Sequence, residues 1–258
     1  MWEVVSVRCP SRALFEALFR GHLCAIRVPG FVSKDMCSVA LRSIQAHGME
    51  RYQNIDPPIR KIGITQYEHM GSPELKREYF RKATAANATR LAIFEETGDL
   101  LERVISAVGQ VWGRAGLAVE KETHEPYFAG LIRDIPIALL HRDWAPKDAQ
   151  GWSIGEVQAQ LTWNIYLQMG KVGGELVIYR RRYEESDEAQ KAMPNNCAYN
   201  SCMVDGRESV AIVPEQGELL LFDSRNYHEV KRTPGTTSRV TASSFIGLSP
   251  EQDLIFWS

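Results

Sequence analysis

The spacing of apolar residues changes character near the middle of the chain. In residues 11–20, Leu14 and Leu18, and Phe15 and Phe19, stand four apart and predict one apolar helix face. Gly21 is its natural stop. LCAIRV at 23–28 predicts a short strand. Ser33 occupies an N-cap position for a helix running to about Ala46, which Gly48 ends. Residues 52–71, with Pro57, Pro58 and Gly63, predict an irregular loop or lid. Ser72-Pro73 restarts a helix, because proline suits a first turn. The helical pattern then continues to about Trp112, with a break near Gly98. These helices carry apolar stripes and no cluster of reactive side chains, so their expected role is to brace a sheet.

From about Tyr127 the pattern becomes strand-like. PYFAGLIRDI, IALLHRD, QAQLTWNIYLQ, GELVIYRR, SVAIVP, GELLLF, HEVKRT and RVTASSFIGL follow one another between Gly, Pro and Asp turns. Short strands at such intervals predict an all-β sandwich or barrel for this half. Two longer connections interrupt them, 146–155 and 184–207. The second begins with the acidic EESDE and is expected to be a surface excursion.

Composition narrows the picture. The 258 residues fit one large domain or two small ones, and 44% apolar content is enough for a buried core. A formal net charge of -2 gives no reason to expect nucleic acid or an anionic membrane as partner. The five cysteines, Cys9, Cys24, Cys37, Cys197 and Cys202, include no CxxC pair. Their odd number argues against a disulfide framework, and they read as buried or incidental thiols; Cys197 and Cys202 are the one pair close in sequence. The N-terminus lacks a basic segment followed by a long apolar run, and no apolar stretch approaches the roughly 18 residues of a membrane span. A soluble cytoplasmic enzyme is the expectation.

The informative local pattern is His141-Arg142-Asp143. In a strand, residues i and i+2 share a side, so an imidazole and a carboxylate are presented together. One neutral nitrogen and one anionic oxygen suit divalent iron, and His228, after GELLLFDSRNY, is the best second histidine. Two His and one carboxylate on one face of a metal form the facial triad of non-haem iron oxygenases. An HxD tripeptide alone also arises by chance, and His22, His47, His69 and His124 are rival ligands. Arg239 lies eleven residues after His228, and a fork-shaped guanidinium matches a carboxylate. Thr241 shares its strand face and offers a hydroxyl.

With these pieces in view, the segment from about Tyr127 to Leu248 resembles the Fe(II)/2-oxoglutarate-dependent oxygenases, in the style of the prolyl 4-hydroxylase-like branch. The order carries the likeness: HRD, TWNIYLQ, GGEL, VPEQGELLLFDS, His228, then Arg239-Val-Thr241. The resemblance implies an α+β fold whose core is a double-stranded β-helix, jelly-roll or cupin-like, braced by N-terminal helices. It implies one oxygenase domain over 1–258, with 1–125 as a mainly helical bracing region and 126–250 as the core that carries the site. It implies His141, Asp143 and His228 as iron ligands, and Arg239 as partner of the 2-oxoglutarate C5 carboxylate. Tyr166 matches a tyrosine that can hydrogen-bond that carboxylate, and Leu176 a side chain packed near the cosubstrate. Gly173 and Gly174 are expected at a tight strand connection. Thr162 and Asn164, on the face of Tyr166, and Trp144 and Phe245 are candidates for the substrate pocket. Each also has an ordinary reading as core or as solvated strand face.

AIRVPGFVS, RKIGITQYEH and LKREYF in the first half resemble the carrier-protein-independent lysine halogenases and their hydroxylase relatives. Those halogenases have a small residue in place of the carboxylate ligand. Asp143 departs from that pattern and favours hydroxylation. The expected activity couples decarboxylation of 2-oxoglutarate, with dioxygen as cosubstrate, to hydroxylation of a C–H bond in a free amino acid or its derivative. Desaturation or oxidative cyclisation with the same cofactors is the alternative. A binding or sensor protein on this fold would have a broken triad or lack the arginine, and neither is seen. A homodimer is compatible with the sequence, which leaves oligomeric state open.

Overall fold

The computed structural model describes residues 2–52, 57–192, 198–235 and 238–258. Its helices are Arg12–Arg20 (α1), Lys34–His47 (α2), Pro73–Ile93 (α3), Leu100–Trp112 (α4) and the single turn Ala145–Asp148 (α5). Its strands are Glu3–Ser6 (β1), Leu23–Val28 (β2), Glu50–Arg51 (β3), Arg60–Ile62 (β4), Ala115–Leu117 (β5), Leu131–Asp134 (β6), Ala138–His141 (β7), Ala159–Gln168 (β8), Leu176–Arg182 (β9), Ser209–Ile212 (β10), Leu219–Phe222 (β11), Asn226–Val230 (β12), Val240–Leu248 (β13) and Leu254–Trp257 (β14).

The strands form two sheets. The larger runs β1-β2-β11-β8-β13-β6-β4-β3, with β14 and then β5 added beside β13. The smaller runs β10-β9-β12-β7. Together they make the double-stranded β-helix. Strand β8 shows the logic, since it is buried on both faces. Leu161, Trp163, Ile165 and Leu167 face α1, α2 and α4 in one apolar cluster. Tyr166, on the opposite face, packs with Leu176, Ile178, Leu220 and Phe222 between the sheets. The period of two therefore divides one strand between a bracing layer and the interior where the site lies.

The predicted helix starts are borne out by their caps. Ser33 Oγ accepts the Met36 N–H at 3.2 Å, and Ser72 Oγ accepts that of Leu75 at 3.3 Å. Such caps contribute about 1 kcal/mol each. Asp99 caps α4 through the Leu101 N–H at 3.1 Å, which explains the break near Gly98. Gly21 ends α1 with a left-handed φ of 75°.

Three expectations need correction. The first half is less purely helical than its periodicity suggests, because β1 to β5 join the large sheet from both sides. Several of these strands are only two to four residues long, too short to show a period. Residues 52–71 are not wholly irregular: β4 pairs with β6, and Tyr67–His69 form a 3-10 turn. The 184–207 excursion is also not wholly on the surface. Tyr199 and Val204 are buried with Leu140 and Tyr227, and Asp187 is buried under Arg181. Cys197 lies outside the described residues. No helix among the described residues is long and apolar enough to cross a membrane.

Two measurements check this packing. Gly217 has φ +84°, and a Cβ there would stand 2.1 Å from the Val32 carbonyl oxygen. Gly217→Ala should therefore cost about 2 kcal/mol or more in denaturant unfolding. Burial raises the Cys24 thiol to about 12 and the Cys37 thiol to about 11. Both stay protonated at pH 8, and only the thiolate reacts. Iodoacetamide on the native protein should label exposed Cys9 and Cys202 and spare these two, as read by peptide mass mapping.

Candidate metal centre

Two neighbouring strands of the smaller sheet build the centre. β12 runs antiparallel to β7 and places His228 directly opposite His141. Directly opposed side chains share a face, and the two imidazole centroids are 4.2 Å apart. Asp143 follows just beyond β7, where its backbone N–H donates to the Ser224 carbonyl at 2.9 Å. One ligand atom from each of His141, Asp143 and His228 lies within 4.8 Å of the others. His228 Nε2 is 3.5 Å from Asp143 Oδ2.

The tautomers follow from the backbone. His141 Nδ1 is 2.7 Å from the Leu139 carbonyl oxygen, and His228 Nδ1 is 2.9 Å from that of Asn226. A carbonyl only accepts, so each Nδ1 carries the proton and each Nε2 keeps its lone pair for a metal. Burial, aided by His228, lowers the His141 pKa to about 4, so this ring is neutral at pH 7. Burial raises the Asp143 carboxyl, but the adjacent His228 and His141 rings and the nearby Arg133 guanidinium outweigh that and bring it down to about 2. The centre thus offers two imidazole nitrogens and one anionic oxygen, a donor set that fits Fe(II). Arg142 points away, as alternation requires. It ion-pairs with Asp148 of α5, lies 3.3 Å from Glu188, and stacks 4.3 Å above the Tyr183 ring.

A second group of polar residues sits on the inner face of the large sheet. Thr241 pairs with Tyr166 across β13 and β8. Arg239 is buried, with its guanidinium carbon 5.1 Å from the Tyr166 ring centre, and its Nε donates to the Gly174 carbonyl at 3.1 Å. Its backbone N–H is held by Asp134 Oδ1 at 3.1 Å. Gly174 has φ +79°, and a Cβ there would lie 3.2 Å from Arg239 Cδ, so the glycine leaves room for the arginine. The hydroxyls of Tyr166, Thr241 and Thr162 are buried without a hydrogen-bond partner. Burial pushes the Tyr166 hydroxyl up to about 12, against the pull of Arg239, so it remains a donor. A buried cation beside unpartnered hydroxyls is the environment a ligand carboxylate fits. Leu176 is buried in the same interior cluster as Tyr166.

A cavity of about 1100 Å3, counting the space open at its mouth, reaches His141 and Asp143. Trp144 and Phe245 line it. Thr162 and Asn164 lie on the same sheet face but outside its lining. The rival histidines stay apart from the centre. His22, His47 and His124 are exposed, and His69 is buried with Nδ1 against the Thr65 carbonyl at 2.8 Å.

Most of the cavity lining was not singled out from the sequence, Arg133, Gln66 and Ile59 among it. Arg133 projects from β6, and Gln66 and Ile59 come from the segment before α3. Arg133 had left a signal: it alternates with Leu131 and Ile135, so a charged residue occupies an inward position. The Gln66 segment is too short and irregular to show a period.

The comparisons with known proteins agree with this architecture. The family model described as "Carrier-protein-independent halogenase WelO5" matches residues 13–258. The leucinostatins biosynthesis cluster protein S of Purpureocillium lilacinum is 39% identical over 219 residues, 80% of this chain and 88% of that protein. The L-gamma-glutamyl-L-propargylglycine hydroxylase of Streptantibioticus cattleyicolor is 26% identical over 255 residues, 96% of this chain and 93% of that protein. Among solved structures, an N-substituted L-amino acid dioxygenase from Burkholderia ambifaria superposes with a TM-score of 0.67 at 15% identity, covering 95% of this chain and 91% of that one. That last likeness is one of fold. With the family model spanning all but the first twelve residues, this chain belongs to the carrier-protein-independent halogenase WelO5 family.

Proposed function

We propose that this chain is an Fe(II)/2-oxoglutarate-dependent dioxygenase that hydroxylates an unactivated C–H bond in an amino acid or amino-acid derivative. The observation that carries the reading is the convergence of His141, Asp143 and His228, the first two of which line a largely apolar cavity. The amino-acid substrate class is supported by the relative that hydroxylates a γ-glutamyl amino acid. The whole chain is taken as one cytoplasmic oxygenase domain, in which the bracing helices serve the core.

In this reading His141 Nε2, His228 Nε2 and the Asp143 carboxylate hold the iron. Arg239, with the Tyr166 and Thr241 hydroxyls, holds the far carboxylate of 2-oxoglutarate, and Leu176 packs beside it. Iron, 2-oxoglutarate and dioxygen together supply the oxidising power for the C–H bond when they are bound. The protein supplies orientation and dryness. The Leu139 and Asn226 carbonyls fix both imidazoles. Trp144 and Phe245 exclude water from the reacting carbon, and buried Phe222 packs 5.0 Å from the His228 ring. Asp143 decides between outcomes. The family is named for halogenases, in which a small residue leaves room for halide. A carboxylate at this position occupies that room, so oxygen transfer is the expected reaction.

The test incubates the protein with iron(II), 2-oxoglutarate, dioxygen and a panel of amino acids and γ-glutamyl dipeptides, followed by mass spectrometry. Gain of one oxygen supports the reading; loss of two hydrogens, or uptake of chloride when chloride is supplied, overturns it. Asp143→Ala should lower substrate oxidation at least about 100-fold, because losing a ligand exceeds the usual cost of losing its outer hydrogen bond. Turnover like that of the parent would remove Asp143 from the ligand set. Arg239→Ala should raise the 2-oxoglutarate requirement by roughly 30-fold or more, since truncating one partner of a buried charge pair costs about 2–5 kcal/mol. An unchanged requirement would defeat its assignment.

A further inference from the structure

We propose that Arg133 and Gln66 form an anion anchor that holds the carboxylate of an apolar amino-acid substrate beside the metal centre. The proposal rests on the oxygenase reading and specifies its substrate end. Both side chains line the cavity that reaches His141 and Asp143. Arg133 Nη2 donates to the Ser243 hydroxyl at 2.9 Å, while its Nε is buried with no partner. Among the described residues no carboxylate pairs with it. The carboxylates lining the cavity are Asp143, in the centre itself, Asp148, which is engaged by Arg142, and that of Ser258, the last residue of the sequence, whose oxygen accepts from the Gln66 N–H and the Tyr79 hydroxyl. Gln66 is 7% exposed, and its Nε2 also lacks a partner. Its backbone is fixed, with the N–H donating to the Ser258 carbonyl at 2.9 Å.

A fork-shaped cation and an amide donor facing one cavity match the two oxygens of a carboxylate. Ile59, Leu131, Trp144, Phe245 and Trp257 give the wall a large apolar share, beside hydroxyls such as those of Thr65 and Ser244. The occupant that satisfies both is an amino acid with a hydrocarbon side chain, or an N-substituted form of one. The far carboxylate of 2-oxoglutarate is assigned to Arg239, Tyr166 and Thr241, which do not line this cavity although Thr241 stands directly opposite Arg133 on the neighbouring strand. Each of the two cations therefore has its own carboxylate.

Trp144 and Trp257 in the cavity wall provide a binding signal that needs no turnover. Under anaerobic conditions, their fluorescence is titrated with L-leucine, L-leucinamide, N-acetyl-L-leucine and N-acetyl-L-leucinamide. The titration is run with and without iron(II) and 2-oxoglutarate, and the visible charge-transfer band of the chelate is recorded in parallel. At least one acid should bind about tenfold or more tightly than its amide. Arg133→Gln should erase that preference while leaving the 2-oxoglutarate concentration needed for the band unchanged. Gln66→Leu should weaken acid binding about threefold to tenfold. If Arg133→Gln does not fold, as judged by circular dichroism, Arg133→Lys is read instead. It keeps the charge and loses the fork, so acid binding should fall about tenfold. The proposal is overturned if no acid binds, if amides bind as well as acids, or if changing Arg133 raises the 2-oxoglutarate requirement instead. Absence of the band in the unmodified protein would defeat the oxygenase reading itself, and is distinguishable from all of these.

Discussion

The antiparallel pairing of β12 with β7 is the constraint on which the centre depends. It sets His228 opposite His141, and a slip of one residue would turn His228 to the other face of the sheet. The register is pinned at the turn between β11 and β12. Asp223 is fully buried and accepts Arg182 Nη2 at 2.7 Å, Arg225 Nε at 2.8 Å and the Arg225 N–H at 3.0 Å. Both arginines also donate to the Phe19 carbonyl, at 2.8 and 2.6 Å. The C-terminal end of α1 is thereby tied to the turn that delivers a metal ligand. The N-terminal helices brace the sheet, and in this case they also fix the height of one strand relative to its neighbour.

What could be read in the sequence follows from where the signal is local. His141 and Asp143 stand two apart, so strand alternation alone places them on one side. Ser33 and Ser72 announce helix starts because a cap is a property of four adjacent residues. The long strands β8 and β13 show themselves through their residue types, although β8 is buried on both sides and cannot alternate cleanly between apolar and polar. The placement of His228 and Arg239 relative to the HRD motif needed the ordered set of motifs, since no local rule brings a residue 87 positions away onto the adjacent strand. The cavity walls from 59–67 were not legible. That segment is short, and its contribution depends on tertiary placement over β6 and β13. The polarity of Arg133 was legible in principle, but an inward charge has many readings until its neighbours are known.

The polar interior of the β-helix shows how fold and function divide the same residues. A buried hydroxyl or amide without a partner costs about 1–3 kcal/mol. Such atoms occur at Thr162, Tyr166 and Thr241 on the inner face of the large sheet, and at Gln66 and Arg133 along the cavity. The outer face of the same strand carries leucine, isoleucine and a tryptophan packed on helices. Stability alone would favour apolar residues on both faces; the outer one comes nearer to that, although Trp163 Nε1 is unpartnered there. These five residues lie near two guanidiniums, those of Arg239 and Arg133, and among the described residues neither is ion-paired with an Asp or Glu side chain. Two guanidiniums, one on β6 and one just before the adjacent strand β13, match the proposed reaction, which brings together two anionic small molecules. In the proposed reaction that pairing ties the asymmetry of the sheet to the chemistry: the strand face that gives up stability is the one assigned to both reactants.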